Sequence, residues 1–144
     1  MKVQAMLDLK GSKVATTRSY ATIATVIRLL KLERIGALVV SDDGETLGGI
    51  ISERDIVRGL VDHGHELLEM QVSELMTRVV KTCTPEANIK DVMTKMTHSR
   101  IRHLPVLNGG KLCGIISIGD VVKNRLDELE TETNVLRDYI VGHG

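Results

Sequence analysis

Two nine-residue stretches place the same reactive groups at the same spacing: GIISERDIV at 49–57 and GIISIGDVV at 114–122. In each, a Ser stands three residues before an Asp where an apolar run gives way to a helical pattern, pairing Ser52 with Asp55 and Ser117 with Asp120. A hydroxyl and free backbone N–H groups at a helix start suit a phosphate oxygen. A carboxylate one turn later can accept both hydroxyls of a ribose. The competing reading needs no ligand: the Ser caps the helix and the Asp complements its dipole.

A second group of chemistry-bearing residues is Arg100, Arg102 and His103 in SRIRHLPV, beside an expected strand. Arginine clamps phosphate with a bidentate fork, and histidine adds a donor in either charge state. Regular strand alternation puts Arg100 and Arg102 on one side and His103 on the other. A solvated, charged strand edge is the plainer alternative. The corresponding stretch RIGALVV has Gly36 and Ala37 in place of Arg102 and His103, and that half of the chain carries Arg54 instead. Two such sites are unequal in charge.

These residues belong to a duplication. The glycines of the two stretches align at an offset of 65, and upstream of one turn the offset is 66, matching Val14 with Val80, Thr16 with Thr82, Ile23 with Ile89, Val26 with Val92, Arg34 with Arg100 and Leu38 with Leu104. Each copy reads as a short strand (VATT, VKTCT), an amphipathic helix with apolar residues at i, i+3, i+4 and i+7, two strands joined by a Gly-rich hairpin, and a second helix. Thr84 and Pro85 are the expected cap and first-turn residue of the helix in the second copy. The fold class is therefore α/β (α+β), two pseudo-twofold β-α-β-β-α units packed face to face, because a half of roughly 60 residues leaves much apolar surface uncovered alone. The expected divisions are 8–66, 72–130 and a tail at 131–144. The stretch from Asn124 to Tyr139 reads as polar and heptad-poor, and extends the last helix.

Composition excludes several functions. With 144 residues, 42% apolar, and 19 basic against 19 acidic side chains, the chain is a folded protein with no global attraction for nucleic acid or an anionic membrane. It has no Trp or Phe and only Tyr20 and Tyr139, so it lacks platforms for stacking single-stranded bases. No apolar run approaches the roughly 20 residues of a membrane span, and MKVQAMLDLKG has no apolar core of a signal peptide, which points to the cytoplasm. Cys83 and Cys113 lack metal or disulfide spacing, and His63 and His65 in DHGH read as a solvated turn rather than a metal site. No nucleophile, base and acid stand at a recognisable spacing, so catalysis is not expected.

The duplicated GIISERD and GIISIGD endings, with RIRHLPVLNGGKLCG before the second, resemble a tandem pair of CBS domains, the Bateman module, over nearly all of the chain. The resemblance implies pseudo-twofold clefts that bind AMP, ADP, ATP or NAD(H), a regulatory role without catalysis, and dimerisation into a flat disc. It gives Asp55 and Asp120 to ribose, and Ser52, Ser117, Arg54, Arg100, Arg102 and His103 to phosphate. It lets Arg102 or His103 reach a phosphate held at the other copy's Asp. Through the family pattern alone, Ile35, Ile101, Leu104 and Pro105 wall an adenine whose edge is read near Thr16 and Thr82. A homodimer is also expected from the helix faces left exposed. The rival reading is a structural dimerisation module with empty clefts, acting through a protein partner.

Overall fold

Helix α2 (Ile23–Glu33) starts where the Thr22 side chain accepts the Thr25 N–H at 3.3 Å, and it buries Ile23, Val26 and Leu30. It ends at Arg34, whose positive φ of 55° turns the chain and whose N–H returns to the Leu30 carbonyl. The second copy repeats this in α5 (Ile89–Ser99), with Ile89, Val92 and Met96 buried and Arg100 at φ 54°. Here the cap is Asn88, accepting from Lys90, and not Thr84. Pro85 is buried instead, and its carbonyl takes the Gln4 N–H at 2.9 Å. The structure, a computed structural model, describes residues 1–143; the last residue of the expected 131–144 tail lies outside the described residues.

In the first repeat, β1 (Thr16–Thr17) runs parallel to β2 (Ala37–Val40), which pairs antiparallel with β3 (Gly49–Ser52), and α3 (Glu53–His63) follows. In the second, β4 (His103–Asn108) and β5 (Lys111–Ser117) form a hairpin, and α6 (Ile118–His143) follows. The expected strand VKTCT is reduced to one parallel bridge between Cys83 and Val106. Gly109 and Gly110, at φ 60° and 81°, make the two-residue turn of this hairpin, a conformation open to few other residues. The longer loop 41–48 of the first repeat is held by Asp43. Its carboxylate accepts from Ser41, Glu45 and Thr46, and those bonds hold its pKa well below the usual carboxylate range.

The two repeats are interleaved at their starts. Helix α1 (Val3–Lys10) precedes the first repeat but packs on the second, placing Val3, Met6 and Leu7 in one core with Ile89, Val92, Met96, Leu104, Val106, Ile116 and Val121. A 3-10 turn (Gly64–Glu69) and α4 (Val72–Leu75) precede the second repeat but pack on the first, through Leu67 and Val72. The backbone bonds are symmetric: Val3 N–H to Ala87 O at 2.9 Å and Ile89 N–H to Met1 O at 2.9 Å in one core, Val72 N–H to Ala21 O at 2.8 Å and Ile23 N–H to Met70 O at 2.9 Å in the other. Burying each of Val3, Met6 and Leu7 stabilises the fold by about 1.5–3 kcal/mol. Gly114 makes room for Leu7, since a Cβ there would lie 2.6 Å from Leu7 Cδ2.

Candidate functional site

Both Ser-x-x-Asp pairs form reciprocal caps. Asp55 Oδ2 accepts the Ser52 N–H at 2.9 Å and the Asp55 N–H donates to Ser52 Oγ at 3.3 Å. Asp120 Oδ2 accepts the Ser117 N–H at 2.9 Å and the Asp120 N–H donates to Ser117 Oγ at 3.1 Å. The capping role is therefore present, and each Asp also lines a cleft. The caps spend Oδ2 in both copies, so the second carboxylate oxygen is left to other donors.

The Asp55 cleft, about 190 Å³, is lined by Ser52, Glu53, Arg54, Arg58, Thr77 and Ile101 among others. Thr77 enters through a backbone bridge, exchanging N–H to O bonds of 2.8 and 2.9 Å with Ile50, and its Oγ1 donates to Asp55 Oδ1 at 3.1 Å. Arg54 reaches toward the Arg100 carbonyl at 3.4 Å, which ties the start of α3 to the end of α5.

The Asp120 cleft is larger, about 500 Å³, a volume typical of small-molecule sites. Lys10, Lys13, Arg34 and Arg102 bring four cations to it against the carboxylates of Glu33 and Asp120. Lys10 Nζ lies 2.6 Å from Asp120 Oδ2 and 2.9 Å from the Ile115 carbonyl. Burial pushes the Asp120 carboxyl up, but the Lys10 ammonium and the Ser117 N–H outweigh it, and the net shift is downward. The group is a carboxylate at neutral pH.

Gly36, Arg102 and His103 line both clefts and so form the wall between them. The imidazole lies against Gly36, where an added Cβ would be 3.4 Å from His103 Cε1. Burial holds the His103 pKa below its ordinary value; Glu53 and Asp120 pull it up, while Arg102 and Lys10 push it down. At neutral pH the wall presents one fixed cation and one neutral imidazole.

The other expected site residues divide. Ile35 lines the Asp120 cleft and Ile101 the Asp55 cleft, one aliphatic wall in each. Leu104 lines neither: it is fully buried in the core of the second repeat, on the opposite face of β4 from His103. Pro105 is likewise buried in the sheet, paired with Ile115. Thr16 is engaged in β1, although its neighbour Ala15 lines the Asp120 cleft. Thr82 lines neither cleft, and its carbonyl accepts from Lys95 Nζ at 2.7 Å. Arg100 is the left-handed helix terminus and lines neither cleft. The alternation expected of Arg100, Arg102 and His103 fails because β4 begins only at His103. Sequence reasoning missed Lys10, Lys13, Arg34, Arg58 and Thr77.

The sequence model described as "CBS domain" matches residues 8–62 and 72–127, once for each repeat. The chain belongs to the CBS domain family. Among curated CBS proteins, it is 38% identical over 125 residues to the mitochondrial CBS domain-containing protein CBSX3 of Arabidopsis thaliana, covering 84% of this chain and 61% of that one. It thus spans under two thirds of that relative. The CBS domain-containing protein YhcV of Bacillus subtilis is 29% identical, with 83% and 84% covered. Among solved structures, the CBS-domain protein ATU1752 of Agrobacterium tumefaciens superposes with a TM-score of 0.83 at 41% identity, covering 87% of this chain and 99% of that one. The CBS domain pair of protein MJ0100, solved in complex with 5′-methylthioadenosine and S-adenosyl-L-methionine, gives a TM-score of 0.76 at 25% identity, with 85% and 98% covered. No helix among the described residues of this CBS pair is long and apolar enough to cross a membrane.

Proposed function

We propose that this CBS pair is a regulatory module that binds an adenosine nucleotide (AMP, ADP, ATP or NAD(H)) without catalysing a reaction on it. The observation that carries the reading is the wall of the Arg102 guanidinium and the His103 imidazole, shared by two clefts that each hold a capped, acceptor-bearing Asp. Asp120 and Asp55 hold ribose hydroxyls, and the backbone N–H groups of Gly119 and Arg54 at the starts of α6 and α3, with the side chains of Arg102, His103, Lys13 and Arg54, hold phosphate. Ile35 and Ile101 flank the base. The adenosine-containing ligands of the MJ0100 pair support the base and sugar half of this reading. Charge favours phosphate over a sulfonium: Lys10, Lys13, Arg34 and Arg102 outnumber Glu33 and Asp120 in the larger cleft. The free thiols of Cys83 and Cys113 suit a reducing compartment such as the cytoplasm, and burial pushes the Cys83 thiol up to about 11, which keeps it protonated.

A thermal-shift panel with adenosine, AMP, ADP, ATP, NAD and NADH tests the reading. Stabilisation that grows with phosphate charge supports it. No shift with any of them at millimolar concentration leaves the rival, a dimerisation module with empty clefts.

A further inference from the structure

The long helix α6 leaves the second repeat and continues with every described side chain from Thr131 to Gly142 exposed. The expectation of a heptad-poor tail does not hold. Val122, Leu126, Leu129, Thr133, Leu136 and Ile140 follow one another at steps of 4, 3, 4, 3 and 4, a strict 3.5-residue seam. The five apolar members are between 41% and 63% exposed, so the described residues leave each of them open to a partner. A 3.5 period is the signature of a helix that supercoils on another helix rather than one that lies on a globular core, where the stripe is wider and follows 3.6.

We infer that the partner on this seam is a second copy of the same chain, with the two α6 helices parallel and in register. With Leu126, Thr133 and Ile140 at position a and Val122, Leu129 and Leu136 at position d, the flanking positions are Arg125 and Glu132 at g and Glu130 and Arg137 at e. In a parallel pair each g residue meets the e residue five positions on in the other helix. That sets Arg125 against Glu130 of the second copy and Glu132 against Arg137 of the second copy, an attraction in all four symmetry-related contacts. An antiparallel pair in the register that aligns the same seam sets Glu132 on Glu132, Glu130 on Glu130 and Lys123 on Arg137, all repulsive. Arg125 already holds Glu128 of its own helix at 3.2 Å, and its fork leaves further donors for the second copy. Toward the end of the helix, β-branched Thr133 and Ile140 at a with Leu129 and Leu136 at d match the two-stranded parallel pattern, while Val122 at d and Leu126 at a reverse it in the first layer. The two-fold axis then runs along the coil and seats the second repeat of one copy beside the second repeat of the other. This inference is independent of what occupies the clefts.

Three measurements on the full chain test it without nucleotide. Light scattering at tens of micromolar gives twice the 15.8 kDa chain mass for the parent, and Leu129→Asp/Leu136→Asp gives the monomer while its helical circular dichroism persists below the melting transition. Glu132→Arg weakens the dimer on the order of tenfold, and adding Arg137→Glu restores it, since each reversal alone sets like charges together. Leu136→Cys oxidises to a dimer linked 136 to 136 by peptide mapping, a bond that only the parallel register allows. A monomeric parent overturns the proposal. So does a dimer indifferent to the Asp pair, which assembles through the repeats instead, or a dimer that Glu132→Arg leaves unchanged, since an antiparallel pair merely exchanges one like-charge contact at that position for another.

Discussion

Lys10 Nζ stands on Asp120 as Thr77 stands on Asp55. One ammonium reaches both Asp120 Oδ2 at 2.6 Å and the Ile115 carbonyl at 2.9 Å, whereas Thr77 reaches Asp55 with its hydroxyl at 3.1 Å and the Ile50 carbonyl with its N–H at 2.8 Å. The two positions occupy matching places because α1 and the segment after α4 pack on opposite repeats. One cleft therefore carries an internal cation at its capping Asp, and the other carries a neutral donor.

On the proposed reading, replacing Lys10 by Met clears Asp120 Oδ2 of its ammonium and removes one of the four cations that line the larger cleft. The ratio of ATP to adenosine affinity should fall about tenfold, since a hydrogen bond to a charged group is worth about 1.5–3 kcal/mol. Paired calorimetric titrations measure the ratio. The same change moves acid stability: Asp120 has a depressed folded pKa, so its contribution is present above the unfolded value of 3.8 and is lost as pH falls through the folded one. Melting curves below pH 4 should lose that steepening in Lys10→Met.

Arg102 supplies charge to both clefts. Arg102→Ala should weaken ATP by tenfold or more, AMP by less, and adenosine by under about twofold, because only phosphate contacts are lost. An equal loss for adenosine and ATP would assign Arg102 to packing. Its exposure in the free chain keeps the melting temperature of the variant near that of the parent.

His103 has a folded pKa below its ordinary 6.5, so the folded state favours the neutral ring and takes up its proton later than the unfolded chain as pH falls. Stability without ligand should therefore decline on acidification from pH 6.5 down through the folded pKa. A bound phosphate reverses the preference by favouring imidazolium. ATP affinity should rise between pH 7.5 and 5.5 in the parent and stay flatter in His103→Gln, read by titration across that range.

A Cβ at Gly49 would lie 2.6 Å from the Thr77 carbonyl and 3.2 Å from Met76 Sδ. Backbone cannot yield as a side-chain tip does, so Gly49→Ala should cost about 1–3 kcal/mol and separate Thr77 from Asp55. A drop of several degrees in melting temperature, with a weakened Asp55 cleft, is the expected outcome.

Much of this was legible because duplication reports itself. The offsets of 65 and 66 located both caps, both amphipathic helices and both hairpins, and the unequal charge of RIGALVV and SRIRHLPV marked the wall residues Arg102 and His103. Lys10 and Thr77 were hidden because their segments pack on the repeat that does not follow them in sequence. One signal was available: KVQAML at 2–7 aligns with QVSELM at 71–76, matching Val3 with Val72. Leu104 was assigned to a base wall, but one step along β4 from His103 turns a side chain from the clefts into the core. The α6 seam escaped notice because Thr133 interrupts it and charged residues fill the rest of each heptad. The reciprocal caps also change what an Asp variant reports: Asp→Ala costs about 1 kcal/mol of helix capping regardless of ligand, whereas Asp→Asn keeps an accepting oxygen for the cap.

The central claim is that phosphate-bearing adenosine compounds occupy clefts built on Asp55 and Asp120. Calorimetric titration of ATP into the parent and into Asp55→Asn/Asp120→Asn, with folding verified by melting, tests it most directly. The account predicts a saturable heat in the parent and at least a tenfold loss of affinity in the double variant; no heat in the parent, or the same affinity in both proteins, would contradict it.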